Sequence, residues 1–144
     1  ATLDAYFKFA FTRNTWDRLV SAYCYSKPIY EAKHGSFESW IGDVCERVRT
    51  SRYKPGEHFA PQSDYLEHEG REALDFVGSF ENLQQDWRHV CDRLELPPCP
   101  LPRLNRTRSK QGHYSACYTD RTRDLVAEAY AREISRMDYR FERR

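Results

Sequence analysis

The stretch Phe7–Tyr23, FKFAFTRNTWDRLVSAY, constrains this chain more than any other segment. Tyr6 to Thr12 is a short aromatic and apolar run, the pattern of a buried strand. Arg13-Asn14-Thr15 interrupts it as a turn. Apolar residues then recur at positions 16, 19, 20 and 23, which is helix spacing. Asn14 or Thr15 can cap that helix, with Asp17 in its first turn. In open α/β sheets ligands bind at the carboxyl ends of strands, and helix N-termini present N–H groups to anions. Arg13 at the strand end, with Arg18 and Ser21 along the helix, is therefore a candidate phosphate clamp. The plainer alternative is a solvated turn arginine and a helix-surface serine.

The rest of the chain carries further elements. Ser36 opens a second helix with Phe37, Trp40, Ile41, Val44 and Val48 on one face. Thr50 to Gln62 reads as a loop marked by Pro55-Gly56 and Pro61. Leu74 to Phe80 reads as a second strand. Glu81 to Leu94 follows as a helix with Leu83, Trp87, Val90, Cys91 and Leu94 inward. Leu96 to Pro102, LPPCPLP, is an extended connector. Asn105 to Tyr118 reads as a polar loop, and Asp120 to Arg136 as a last helix before the tail MDYRFERR. Strands alternating with helices predict an α/β fold with a parallel sheet flanked by helices. Two strands are too few for such a sheet, so either further strands escape the pattern or some lie upstream of Ala1, which would leave the fold incomplete at its N-terminus. A single domain over residues 1–144 is expected.

Composition narrows the function classes. The net charge of +1 gives no global attraction to nucleic acid or membrane. Arginine supplies 18 of the 23 basic residues, and its planar fork suits phosphate and sulfate. No run approaches the ~18 apolar residues that span a bilayer. Cys24, Cys45, Cys91, Cys99 and Cys117 form no CxxC pair and read as free thiols. The histidines lack partners at zinc-like spacing, so no metal site is expected. A basic stretch with Arg103, Arg106, Arg108 and Lys110 near Tyr114 and Tyr118 has the look of a single-strand nucleic-acid binder, but the balanced charge argues against that partner.

The segment FxFxRNxWDRLVSAY resembles the 3′-phosphate-binding motif of sulfotransferases, most closely the carbohydrate sulfotransferases of family 2. That family typically reads Arg-Asn/Asp-Pro-x-x-Arg-Leu-x-Ser-x-Tyr, and Thr15 stands here in place of the Pro. More landmarks follow in the family's order: His58-Phe59-Ala60-Pro61-Gln62, then Asp75-Phe76-Val77-Gly78 with Phe80-Glu81-Asn82-Leu83, then Leu101-Pro102-x-x-Asn105. Tyr118 through Tyr139-x-Phe141 resembles the closing helix and aromatic tail.

The resemblance implies a P-loop-NTPase-like sulfotransferase fold, of which this chain is the C-terminal part. It implies transfer of a sulfuryl group from PAPS (3′-phosphoadenosine 5′-phosphosulfate) to an acceptor hydroxyl on a carbohydrate, without a metal. Arg13 and Ser21 would hold the 3′-phosphate, with Arg18 as the family's second arginine. Arg108 and Lys110 are candidates for a basic loop over the nucleotide. His58 is the candidate base, with Glu81 as an alternative acid/base that can equally cap the following helix. Gln62 and Asp64 are candidates on the acceptor side. Relatives carry an upstream Gly/Ser/Thr-rich loop with a Lys that cradles the phosphosulfate. None of the six glycines here lies in a GxxxxGK-like context, which leaves open a non-catalytic nucleotide- or anion-binding remnant. With no anchor in view, bacterial-type cytoplasm is the expected location, or the Golgi lumen if an upstream anchor was removed.

Overall fold

The structure, a computed structural model, describes residues 5–97, 99–102, 104 and 112–144. In chain order the first elements are β1 (Phe9–Thr12), α1 (Thr15–Tyr25), α2 (Lys27–His34) and α3 (Phe37–Arg49). There follow β2 (Glu67–His68), β3 (Arg71–Glu72), β4 (Phe76–Ser79), α4 (Leu83–Arg93), α5 (Asp120–Ala129) and α6 (Ala131–Arg136). Short 3₁₀ turns occupy Gln62–Tyr65, Phe80–Asn82 and Tyr114–Cys117. The chain divides into two compact units, Ala1–Arg13 with Asp64–Arg106, and Asn14–Ser63 with Thr107–Arg144.

The first unit holds the parallel pair. β1 and β4 run side by side, with Phe9 opposite Phe76 and Thr12 opposite Ser79. The expected α/β character is present as a mixed helix–strand fold with this small parallel sheet. Helix α4 packs on the pair, where Trp87 meets Phe9 at 6.4 Å between ring centroids. Gly78 makes the close approach possible. A Cβ there would lie 2.6 Å from Phe11 Cε1 and 3.0 Å from Asp86 Cβ. The Asp86 carboxylate also accepts the Ser79 N–H at 2.6 Å, which ties the strand end to α4. Leu94, expected on the inner face of that helix, is 39% exposed, because the helix stops at Arg93. The connector lies along α4 through Trp87 Nε1 to the Cys99 carbonyl at 2.9 Å, and through Gln84 Nε2 to Leu101 O at 3.2 Å.

A two-strand hairpin, β2–β3, was not legible in the sequence. Its turn is Glu69-Gly70, both at positive φ (52° and 74°), the requirement of a type I′ turn. Glutamate is an uncommon occupant of that position, so the usual Asn-Gly or Asp-Gly signal is missing.

The second unit is helical, with a core rich in aromatic residues. Trp16, Leu19, Val20 and Tyr23 of α1 are buried with Trp40, Ile41, Val44 and Val48 of α3, the faces that the helical spacing predicts. Ser36 caps α3 by accepting the Ser39 N–H at 3.2 Å, as the sequence suggests. Tyr23 stands edge-on to Phe37 at 5.2 Å, and Phe37 edge-on to Tyr118 at 5.2 Å. The C-terminal tail closes this cluster: Phe141 sets its ring against Trp16, Tyr114 and Tyr118 at 5.5–5.6 Å. Helix α2 escapes sequence reading because none of its residues is buried, so it has no apolar period to detect.

The last helix is not continuous as expected. It breaks at Tyr130 (φ −108°, ψ 22°), although bonds from Tyr130 N to Val126 O and from Ile134 N to Tyr130 O carry the ladder across. Tyr130 is buried and donates to the Phe59 carbonyl at 2.6 Å. No helix among the described residues is long and apolar enough to cross a membrane.

Candidate functional site

Arg13 leaves β1 at its carboxyl end, where Ser79 ends the parallel partner β4. Its guanidinium lies 4.3 Å above the Phe80 ring, a cation–π contact that keeps the charge at this sheet edge. Glu81 is exposed in the 3₁₀ turn that follows. The turn is capped by the Ser79 side chain, which accepts the Asn82 N–H at 3.2 Å. At the opposite end of the pair, Asp75 accepts the Lys8 backbone N–H at 2.7 Å and pairs with its ammonium at 3.2 Å. The backbone bond first, then the ammonium, holds the Asp75 carboxyl below the usual range.

Helix α1 begins with an internal cap. Asn14 Oδ1 accepts the N–H groups of Trp16 and Asp17, at 3.2 and 3.4 Å. Its Nδ2 donates to the Arg140 carbonyl at 2.9 Å. These first-turn N–H groups are thus already satisfied, and an anion at α1 would be held by side chains. The Ser21 hydroxyl is half-buried and makes no hydrogen bond with another described residue.

Arg18 points into its own unit. Nη1 donates to the His58 carbonyl at 2.8 Å, and Nη2 lies 3.6 Å from Glu133 Oε1. Nε and Nη2 are buried without a hydrogen-bond acceptor, a deficit that an anionic oxygen would relieve. The His58 ring is exposed, 6.0 Å from Tyr25 between ring centroids. Gln62 is turned inward: its Nε2 donates to Glu133 Oε1 at 2.9 Å and its backbone N–H donates to Oε2. Asp64 is exposed in the Gln62–Tyr65 turn.

Within one unit, then, Arg18 and Gln62 meet at Glu133, which sequence reading passed over as part of an ordinary helix face, and Arg18 also holds the His58 carbonyl. The signal was available only as a carboxylate on the inward side of the last helix. Arg108 and Lys110 lie outside the described residues. Among the described residues no group of three or more His, Cys, Asp or Glu is placed to hold a metal ion.

A polar groove in the same unit runs along Ser115, Thr119 and Asp120 to Arg123, Arg143 and Arg144. Its arginines are largely neutralised in place. Arg123 Nη1 binds Asp120 at 2.9 Å, Arg143 pairs with the same carboxylate, and Arg144 lies 3.7 Å from Glu142.

In the first unit the Arg13 cation stands at the carboxyl edge of the strands; in the second, α1 carries the Ser21 hydroxyl, without a hydrogen bond among the described residues, and the Arg18 guanidinium with two buried nitrogens that lack an acceptor. A protein of Archaeoglobus fulgidus described as uncharacterized is 31% identical over 99 residues, 65% of this chain and 72% of that relative. No solved structure matches the chain. The sulfotransferase family model matches residues 1–140, a span that reaches into both units and holds the landmarks from Arg13 to Tyr139, and the chain belongs to that family, sulfotransferase family 2.

Proposed function

We propose that this protein takes part in sulfuryl transfer from PAPS to a hydroxyl of an acceptor, a carbohydrate, within a P-loop-NTPase-like fold. The observation that carries the reading is the family motif at the β1–α1 turn. Its Arg13 stands at the carboxyl edge of a parallel pair, and its Ser21 hydroxyl has no partner among the described residues. Arg13 and Ser21 bind the 3′-phosphate of the donor, and Arg18 supports them. Arg108 and Lys110 close over the nucleotide.

The reaction is an in-line displacement. The acceptor oxygen attacks sulfur, the bond from sulfur to the bridging phosphate oxygen breaks, and adenosine 3′,5′-bisphosphate leaves. His58 takes the hydroxyl proton, with Glu81 as the alternative acid/base. Its exposed ring supports this role, since an acceptor can reach it. Asp64, also exposed, binds acceptor hydroxyls together with Gln62. Of these two, Gln62 commits its side-chain amide nitrogen to Glu133.

A second reading is favoured by the glycine pattern: with no GxxxxGK-like segment, the chain binds the nucleotide without turning it over. Calorimetry with adenosine 3′,5′-bisphosphate, paired with a PAPS turnover assay, separates the two. Binding with turnover supports transfer, and binding without turnover supports the binding-only reading. No binding, with no effect of Arg13→Ala, sinks both.

A further inference from the structure

We infer that Glu133 is a positioning residue that couples the helix of the 3′-phosphate motif to the His58–Gln62 segment, an inference that rests on the donor reading above. Glu133 is 1% exposed, on α6 just past the break at Tyr130. Its carboxylate meets two separate stretches of chain, α1 and the Gln62 segment. Thr15 Oγ1, on the first turn of α1, donates to Oε1 at 2.6 Å. Gln62 donates to it twice, from Nε2 to Oε1 at 2.9 Å and from its backbone N–H to Oε2. Arg18 Nη2 stands 3.6 Å from Oε1 while Nη1 of the same guanidinium holds the His58 carbonyl at 2.8 Å.

Every one of these partners is a donor, and a carboxylate accepts through both oxygens. A glutamine at this position would have to turn its NH₂ toward at least one donor. The network is therefore specific for an acceptor-only group and breaks with the loss of a single oxygen. It also explains the backbone break. Tyr130 binds the Phe59 carbonyl, and Glu133, three residues later, binds Gln62, so two residues near the break grip the same segment.

The consequence is mechanical. Ser21 is on α1, and that helix is tied to the backbone on either side of Phe59-Ala60-Pro61, from Thr15 through Glu133 to Gln62 and from Arg18, held beside Glu133, to the His58 carbonyl. A ligand that orders α1 is expected to order the segment carrying the candidate base, although His58 itself is not on the helix. This is a coupling free energy between two segments, readable in either direction.

The test is hydrogen exchange of the peptide covering residues 58–63, with and without adenosine 3′,5′-bisphosphate, in the wild type and in Glu133→Gln. In the wild type the ligand is expected to slow exchange there by about fivefold or more, and in Glu133→Gln by less than about 1.5-fold, with bisphosphate affinity within about threefold of wild type. Thr15→Val, which removes only the α1 hydroxyl, is the second variant should Glu133→Gln not fold, and it is expected to weaken the same protection. Ligand protection that survives in the variants overturns the inference. So does exchange that rises evenly along the whole chain with collapsed affinity, since that marks a residue needed only for folding. A wild type that binds the bisphosphate but shows no protection of 58–63 overturns the coupling and leaves the donor reading standing. A wild type that does not bind overturns the donor reading and this inference with it.

Discussion

The Tyr130 hydroxyl donates a 2.6 Å hydrogen bond to the Phe59 carbonyl, and both residues are buried. Burial pushes the Tyr130 phenol well above its ordinary value, so the group stays a neutral donor. Tyr130→Phe leaves a buried carbonyl without its donor, at a cost of about 1–3 kcal/mol. The midpoint of urea denaturation is expected to fall accordingly. An unchanged midpoint would show that the carbonyl finds another partner.

Asn14 does two jobs at the start of α1, capping the helix and donating to Arg140 O. Asn14→Ala removes both and should destabilise by about 1–2 kcal/mol. Asn14→Asp keeps an accepting oxygen but loses the donation to Arg140, so its melting temperature should fall between wild type and Asn14→Ala. Equal melting temperatures for the two variants would assign the whole effect to Arg140.

Gly78 of β4 has no room for a Cβ between Phe11 of β1 and Asp86 of α4. Gly78→Ala puts a methyl into the Phe11 ring and beside Asp86, an overpacking expected to cost about 1–3 kcal/mol. Chemical denaturation reads the loss directly. Wild-type stability in this variant would mean that the Phe11 ring swings aside.

Burial pushes the Cys45 thiol from its ordinary 9.0 up to about 12. The neutral thiol is the form the fold favours, so its contribution is fully present below pH 9 and is lost as pH rises toward 12. Stability should decline over that window in the wild type and more weakly in Cys45→Ala, as read by denaturation at stepped pH. At neutral pH, iodoacetamide and mass spectrometry should find exposed Cys99 and Cys117 modified well before Cys45. Early labelling of Cys45 would contradict its burial.

Arg13 supplies the motif's cation at the sheet edge. A charge-assisted hydrogen bond is worth about 1.5–3 kcal/mol, so Arg13→Ala should weaken adenosine 3′,5′-bisphosphate binding by about 10- to 150-fold. Ser21→Ala loses a neutral hydroxyl bond worth about 1 kcal/mol and should weaken it about fivefold. Calorimetry on both variants checks the order; a larger effect at Ser21 than at Arg13 would reverse the assigned roles.

Much of this protein is legible in its sequence where a local pattern reports a local outcome. The switch from an apolar run to helical spacing across Arg13-Asn14-Thr15 marks β1 and α1, and the spacing of Trp40, Ile41, Val44 and Val48 marks the inner face of α3. Family membership is legible as well, because its landmarks are contiguous residues in a fixed order. The exposed helix α2 and the Glu69-Gly70 hairpin are not, since one buries nothing and the other lacks the usual turn residues.

The site divides along the same line. Sequence alone determined which residue types stand in the motif: the arginine at the strand end, the serine on the helix and the His58–Gln62 segment. Only the tertiary structure decided what those side chains touch. It turned Arg18 and Gln62 toward a carboxylate 115 and 71 residues away along the chain, and it broke the last helix at Tyr130 to bring that carboxylate inward. The physical reason is that a buried donor must find an acceptor, and which acceptor lies within reach depends on how distant segments pack rather than on spacing along the chain.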